Sequence, residues 1–233
     1  MIKYLQCMLF LFFIFPLNAH SFEGMPEVPG NIIVPLNKTN IILANLRINV
    51  DDGYIVKSSF ELNNISSKKE QISVGFPLQK DTLYKYLEPQ YFRIESNDKS
   101  VPYSIKKSDE YDVPDIIDKY DYLYVWQLVI NPKGSITINC SYEVNWHADD
   151  PRVNRRHISF NLEDASYWKG PTETARITFN LSGSTLRLLN KNKIKLNIEP
   201  DGYIIDDNKS IIWSFKDWEP NNNILIEVNP YSE

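Results

Sequence analysis

The chain has 233 residues, of which 25 are Lys or Arg and 30 are Asp or Glu, so its formal net charge at pH 7 is −5. Sequence-independent binding of nucleic acid needs a basic stripe that displaces counterions from phosphates, and this mildly acidic chain has no such excess. We therefore expect no nucleic-acid partner and, with only two cysteines, a fold that does not depend on disulfides.

Residues 1–21 have the organisation of a cleaved signal peptide. A lysine lies near the start, and residues 7–15 form an apolar run that is too short to span a bilayer. Small residues place the cleavage after Ser21 or after Ala19. We expect export to the periplasm or the extracellular space, and a mature chain, residues 22–233, without a transmembrane segment.

Most of the mature chain alternates between apolar and polar side chains with a period of two. Successive side chains of a strand point to opposite faces, so this period predicts strands with one buried and one wet face. Residues that favour strands are abundant, and no long helical period appears. The inward residues that mark the predicted strands are Val56, Phe60 and Leu62 (interrupted by Ser58), then Ile72, Val74 and Phe76, then Ile177, Phe179 and Leu181, then Ile194, Leu196 and Ile198, then Ile211, Trp213 and Phe215, and finally Ile224, Ile226 and Val228.

Short strands that are separated by turn residues predict an all-β fold, an antiparallel β-sandwich built as one elongated sandwich or as two tandem sandwiches. Only residues 108–119 depart from this rhythm, because they are acidic and contain Pro114. They predict a surface loop or a junction between two β halves, with a short helical turn near residues 110–119. A division of the chain is accordingly placed near residues 108–120.

The middle of the chain carries the strongest strand signals. Residues 122–130 are apolar on both faces except at Gln127, which predicts a central strand covered on both sides. Residues 131–134 (Asn-Pro-Lys-Gly) have the chemistry of a tight turn and predict a hairpin with the next strand. In that strand, residues 136–146, Cys140 lies on the apolar face, so we expect a buried and unreactive thiol.

The segment after this strand contains the metal-ligand candidates His147, Asp149 and His157. Recognisable ligand spacing is missing, and three arginines share the segment, namely Arg152, Arg155 and Arg156. We interpret it as a solvated loop, with contact of the arginines to an anion or carboxylate as the alternative. No metal or other cofactor is expected.

The segment YWKGP, residues 167–171, is interpreted as a corner of the scaffold rather than as a reactive cluster. Trp168 would bury its ring, Gly170 and Pro171 would turn the chain, and Lys169 would face solvent. Trp168 and Trp218 also lie near turns, which makes them candidates for stacking on a carbohydrate. The candidate binding surface comprises Trp168, Lys169, Trp218, Arg152, Arg155 and Arg156.

Catalytic motifs are weak. The chain has no G-x-S-x-G elbow, and residues 182–184 (Ser-Gly-Ser) have the composition of a turn. Adjacent acids, such as Asp51 with Asp52 or Asp206 with Asp207, would serve a glycosidase only if two carboxyl groups faced one another across a cleft. An enzyme is therefore the less favoured interpretation.

Three landmarks occur in order along the chain. They are YLYVWQLVINPKGSITINCSY (122–142), YWKGP leading into ARITFNL (167–181), and IIWSFKDWEPNNNILIEV (211–228). Together with IVPLNKTNIILANLRINV (33–50) and VGFPL (74–78), they resemble an uncharacterised family of exported bacterial all-β proteins known as a domain of unknown function. The resemblance implies a secreted or periplasmic β-sandwich, and no catalytic residues come with it.

The sequence thus favours an exported, non-enzymatic β-sandwich of the bacterial envelope that acts by contact with a protein or glycan. The alternative is a secreted carbohydrate-active hydrolase, which would place two carboxylates on a concave face beside Trp168 or Trp218. A third hypothesis is an assembly subunit that adds strands edge to edge, which would need an unpaired, uncharged edge strand.

Overall fold

The computed structural model describes residues 30–230 except residues 52–54, 81–85, 88, 90, 112, 145–146, 151–154 and 208. The predicted signal peptide, with both candidate cleavage sites, lies outside the described residues. Arg152 and the side chains of Arg155 and Arg156 lie outside them as well.

The described chain consists mainly of strands that are joined by short connections. In chain order they are β1 (Val34–Pro35), β2 (Ile41–Val50), β3 (Ile55–Asn64), β4 (Glu70–Lys80), β5 (Tyr86–Leu87), β6 (Arg93–Ser96), β7 (Lys99–Ser100), β8 (Ser104–Lys107), β9 (Tyr122–Ile130), β10 (Ser135–Glu143), β11 (His147–Asp150), β12 (Arg155–Phe160), β13 (Thr172–Asn180), β14 (Ile194–Glu199), β15 (Ile204–Ile205), β16 (Ser210–Trp218) and β17 (Ile224–Pro230). The helices are α1 (Pro114–Lys119) and α2 (Gly183–Asn190), and turns of 3-10 helix cover Ser108–Glu110 and Glu163–Tyr167.

These strands form three sheets, so the predicted all-β fold is confirmed. The largest sheet has eight strands in the order β15-β16-β13-β2-β3-β10-β6-β7. A second sheet has the order β1-β4-β9-β8, with β5 also paired to β4, and a third has the order β11-β12-β17-β14. Every pairing between named strands is antiparallel except that of β2 with β13, which is parallel. The predicted antiparallel arrangement thus holds for the other strand pairs, with this parallel pairing inside the large sheet as the exception.

The turn at residues 131–134 connects two sheets instead of closing a hairpin. The turn itself forms, since Lys133 has a φ of +54° and Gly134 N donates to Asn131 O at 3.0 Å. However, β9 pairs with β4 and β8, whereas β10 pairs with β3 and β6. The side chain of Asn64, at the end of β3, donates to both Ile130 O and Asn131 O and holds the turn between the sheets. The predicted hairpin is therefore wrong, although the chain reverses where expected.

The helical turn that the sequence predicts near residues 110–119 is present as α1. Pro114 occupies its first turn, where the missing backbone N–H leaves no helical hydrogen bond unmade. Ile116 and Tyr120 pack with Val34 and Leu123 in a small core of their own. Buried residues on both sides of α1 share the main core, and the division near residues 108–120 stays a prediction.

Helix α2 corrects the interpretation of residues 182–184 as a turn. Ser182 has extended backbone and its Oγ accepts a hydrogen bond from Thr185 N at 2.9 Å, so it is the N-cap of α2. Ser and Gly are common in turns, but Ser is also a preferred cap, because its hydroxyl satisfies a backbone N–H that the first helical turn leaves free.

The main core is lined by the apolar faces of all three sheets. Ile138, Cys140 and Tyr142 of β10 are buried, as their alternation predicts, and burial raises the pKa of the Cys140 thiol. Strand β9 is covered on both sides only over its first half, because Val129 is 47% exposed. None of the helices in the described part of the chain has the length and hydropathy that a membrane span requires.

Candidate ligand-binding face

The structure places Trp168 in the core, as the scaffold interpretation predicts. Its side chain is 2% exposed, and its indole Nε1 donates to Ile33 O at 3.0 Å. Gly170 has a φ of +71°, a conformation that glycine adopts without strain, and lets the chain turn into β13. A buried ring cannot stack on a ligand, so Trp168 is removed from the candidate binding surface.

Lys169 and Trp218 occupy different surroundings. Lys169 is exposed, and its Nζ donates to Asn40 Oδ1 at 2.8 Å. Trp218 is half-buried and stacks on Phe215, with the ring centroids 4.7 Å apart and the planes inclined by 12°. Both rings pack against the main core, and Phe215 also borders a large cavity.

The histidines of the metal hypothesis are brought together by the strand register, because His147 is the direct partner of His157 in the pair of β11 and β12. The side chains of His147 and Asp149 lie outside the described residues. Over the residues that the structure does describe, no cluster of three His, Cys, Asp or Glu side chains has the arrangement of a metal site.

A cavity of about 1000 Å³ lies on the outward face of the eight-stranded sheet. Its lining comes from β16, β13, β2, β3, β10 and β6, which are consecutive strands of that sheet. Most of its lining side chains belong to the outward face of that sheet, so the sheet curves around the cavity. We call this surface the concave face.

The strand register arranges the polar side chains of the concave face in two rows that run across the strands. The first row, from β16 to β6, consists of Ser214, Arg176, Arg47, Ser59, Asn139 and Glu95. The second row, from β13 to β6, consists of Thr178, Asn49, Lys57, Ser141 and Arg93. Direct cross-strand partners have Cβ atoms about 5 Å apart, so each row is a continuous surface of hydrogen-bonding groups.

The concave face is positively charged on a protein that is negative overall. Among the described residues, its lining contains four cations, Arg47, Lys57, Arg93 and Arg176, and one carboxylate, Glu95, which together give a formal charge of +3. The whole chain has a formal charge of −5. The cavity therefore has a positive electrostatic potential on a negatively charged protein. The low dielectric constant of the surrounding protein strengthens this potential inside a concave site.

Two of these cations face one another directly. Arg47 and Arg176 are partners in the parallel register of β2 and β13. Like charges in this position destabilise a sheet. The ion pairs among the described residues are formed by other cations, Lys106 and Lys119, so neither guanidinium is neutralised there by a carboxylate.

Beneath the rows, the inward residues Ile48, Ser58 and Cys140 lie side by side on neighbouring strands. Ser58 Oγ is buried and has no hydrogen-bond partner within the described part of the chain. Burial raises the pKa of the Cys140 thiol, which opposes formation of the thiolate. Burial of both groups therefore gives no support for a nucleophile beneath the rows.

No protein-family model matches the chain, and no curated protein matches it. Among solved structures, a protein of Legionella pneumophila described as a "putative nutrient binding protein" superposes with a TM-score of 0.69 at 16% identity, over 86% of this chain and 70% of its own. This likeness shows a shared fold and, at that identity, nothing more. An M1 zinc metallopeptidase of Deinococcus radiodurans, with a TM-score of 0.36 and 9% identity over 82% of this chain and 42% of its own, is too distant to support an argument.

The concave face does not have the arrangement that the hydrolase alternative requires. A glycosidase needs two carboxyl groups across a cleft, and of the described residues the lining contributes that of Glu95 alone. The edge-to-edge hypothesis also finds little support at the ends of the large sheet, since both terminal strands, β15 and β7, have two residues. Very short edge strands are a common way to prevent strand addition.

The concave face is not among the sequence predictions, because these rest on the apolar half of each alternation. The signal lies in the polar half, in the Asn45-x-Arg47-x-Asn49 run of β2 and in Arg176 of β13. The period of two tells that these side chains share a face within a strand. It does not tell that β2 and β13, far apart in sequence, become neighbours.

Proposed function

We propose that this protein is an exported, non-enzymatic binding protein that holds a polar small molecule or glycan on the concave face. The observation that carries the proposal is the cavity of about 1000 Å³, lined by consecutive strands of one sheet and rich in hydrogen-bonding side chains. Ligand sites are usually preformed concavities of about 300–1000 Å³. This cavity is therefore large enough to hold an oligosaccharide of a few sugar rings.

Three further points support this function. The side chains of both rows stand on strands, which hold them more rigidly than loops would. The Legionella protein that shares the fold is described as nutrient binding. Export rests on the signal-peptide pattern of residues 1–21, and it would give the protein access to solutes outside the cytoplasm.

The test fills the cavity without disturbing the core. Asn139 lies half-buried in the first row, between Ser59 and Glu95, so Asn139→Trp should block the concave face. Asn222→Trp, in an exposed connection before β17, is the matched control. The mature protein would be screened by thermal shift and then calorimetry against neutral and acidic saccharides, amino acids, organic acids and inorganic phosphate.

We expect at least one of these compounds to bind the wild type and Asn222→Trp with similar affinity, and to bind Asn139→Trp at least tenfold more weakly. Binding that survives in Asn139→Trp would locate the site elsewhere and contradict the proposal. Failure of the whole panel to bind the wild type would contradict it too.

A further inference from the structure

We infer that the ligand of the concave face is a hydroxylated anion, and that Arg47 and Arg176 together hold one of its oxyanion groups. This inference rests on the proposed function, since it assigns the chemical class of the compound that the concave face binds. The oxyanion is a carboxylate or a phosphate, and the two are separated by the experiment below.

The first step is the pairing of the two arginines. Arg47 of β2 and Arg176 of β13 are direct partners, and both are exposed on the outward face. Their flanking partners in the row, Ser214 and Ser59, are neutral, so the row itself does not offset the repulsion. An oxyanion between the guanidinium groups would accept hydrogen bonds from both and remove the repulsion.

The second step is the position of the acidic residues. Glu95, the carboxylate of the lining, stands on β6, three strands from Arg47. At a strand spacing of 4.7–4.9 Å, this separation is about 14 Å, which is too long for an ion pair. Glu61 lies in the row that borders the first row on the side away from the second row. Its register partners there are Asn45 and Thr137. Among the described residues, neither carboxylate forms an ion pair with Arg47 or Arg176, so the space between the arginines is open to an external anion.

The third step is the second pair of cations. Lys57 of β3 and Arg93 of β6 belong to the neighbouring row and are separated by Ser141 of β10. From Arg176 to Arg93 the cations extend over four strand spacings, about 19 Å. Between them lie amide and hydroxyl side chains that match the hydroxyl groups of a sugar: Asn49, Ser59, Asn139 and Ser141. This combination fits an acidic sugar oligomer or a sugar phosphate better than an apolar acid.

An alternative is a solvated basic face without a ligand. Exposed Lys and Arg side chains are common on sheets, but they are usually interspersed with acids. Here, in the part of the chain that the structure describes, four cations share one concavity with a single carboxylate, on a chain with an excess of acidic residues. A solvated face would give no reason for that segregation, whereas an anion-binding face does.

The test measures calorimetric affinities of the mature protein for trigalacturonate, glucose 6-phosphate, neutral galactotriose and inorganic phosphate at low salt. The variants are Arg47→Gln and Arg176→Gln, and the control is Arg187→Gln, an exposed arginine of α2 outside the concave face. Melting temperatures without ligand are measured for all four proteins.

We expect trigalacturonate or glucose 6-phosphate to bind at least tenfold more tightly than galactotriose, and the preferred acid identifies the oxyanion. Each of Arg47→Gln and Arg176→Gln should weaken that acid at least tenfold, while Arg187→Gln leaves it unchanged. Because each substitution removes a like-charge contact, the ligand-free melting temperature of both variants should equal or exceed that of the wild type. Added salt should weaken binding of the acid.

Several outcomes would overturn the inference. Galactotriose binding as tightly as the acids, with no loss in the arginine variants, would contradict the anion while leaving the proposed function intact. Lowered melting temperatures with unchanged affinities would assign the two arginines a structural role. Binding of inorganic phosphate alone, equally in all variants, would show an adventitious ion. If the wild-type protein binds none of the compounds tested here or in the earlier screen, the proposed function itself is contradicted.

Discussion

At the scale of single residues, Trp168 shows how one side chain fixes a corner of the fold. Its ring is buried and its indole N–H reaches the backbone of Ile33, which lies 135 residues away in sequence. This hydrogen bond connects the segment that precedes β13 with the segment that precedes β1. Trp168 is therefore a long-range clamp whose loss should affect the whole domain.

Replacing Trp168 by Ala should lower the free energy of unfolding by about 3–5 kcal/mol, because it removes a buried aromatic ring and leaves a cavity. Urea denaturation measures this difference. Trp218→Ala is the matched control, since Trp218 is only half-buried, and it should cost clearly less. Equal losses for the two tryptophans would contradict the role of Trp168 as a clamp.

Asp164 is the most deeply buried acid among the described residues. It is 0% exposed, accepts a hydrogen bond from Tyr120 Oη at 2.8 Å, and has Lys119 Nζ at 3.2 Å. Burial raises the pKa of Asp164 above its ordinary value of 3.8, against the opposing effects of Tyr120 and Lys119. At pH values between 3.8 and the raised pKa, the carboxyl group of Asp164 is therefore protonated in the folded protein and ionised in the unfolded chain.

The expected consequence is a pH-dependent contribution to stability with a definite sign. A group with a raised folded-state pKa stabilises the fold fully below its unfolded pKa, and this stabilisation is lost as the pH rises through the folded value. The melting temperature of the wild type, minus that of Asp164→Asn, should accordingly fall as the pH rises from 3.8. Thermal unfolding at a series of pH values gives this difference, in which other titrating groups largely cancel. A difference that grows with pH would show that the carboxylate form is the favoured one.

The residue-level predictions differ in origin. Alternation and turn chemistry are local signals, and they correctly predict the burial of Cys140 and Trp168. Arg47 and Arg176 were not linked, because their proximity depends on the parallel pairing of two strands that are distant in sequence. Burial can thus be inferred within one strand, whereas a site that spans strands needs their order.

At the scale of elements, the same limit explains the turn at residues 131–134. The alternation of β10 and the apolar run of β9 both predict strands, and both strands are present. The residues of the turn predict that the chain reverses its direction. They do not predict which strands β9 and β10 pair with. In the structure, the side-chain amide of Asn64 donates to Ile130 O and Asn131 O and holds the turn at the end of β3, where β9 and β10 enter different sheets.

Helix α2 is an element with little tertiary support, since none of its residues is buried. Its first turn depends on the Ser182 cap and on the hydrogen bond from Leu186 N to Ser182 O. Substituting Ser182 by Ala should destabilise α2 by about 0.5–2 kcal/mol, because Thr185 N loses its acceptor.

Because α2 packs weakly, this loss should appear as local opening rather than as global unfolding. Amide hydrogen exchange in α2 should accelerate in Ser182→Ala, while exchange in β3 and β10 stays unchanged. Ser100→Ala, at an exposed serine of β7 outside α2, is the control. Faster exchange throughout the protein would contradict the local role of the cap.

At the scale of the whole molecule, Asn31 lies where the three sheets meet. Its backbone N–H and C=O both bond to Tyr142 Oη of β10, at 3.0 and 2.7 Å, and its side-chain amide donates to Pro77 O of β4. The neighbouring Gly30 bonds through its N–H to Ser159 O of β12. One short segment thus links the large sheet, the second sheet and the third.

This junction bears on whether the chain divides near residues 108–120. Tyr142→Phe removes the hydroxyl that satisfies two buried backbone groups of Asn31, so it should cost about 1–3 kcal/mol. Since the main core contains residues of all three sheets, we expect the substitution to shift a single unfolding transition rather than to split it.

Urea unfolding, followed in parallel by tryptophan fluorescence and far-UV circular dichroism, tests both the size of the loss and the number of transitions. Tyr91→Phe, at a tyrosine that is 78% exposed, should leave the midpoint unchanged. Non-coincident transitions in the wild type would mean that two units fold independently, because a core shared by three sheets would otherwise force them to unfold together.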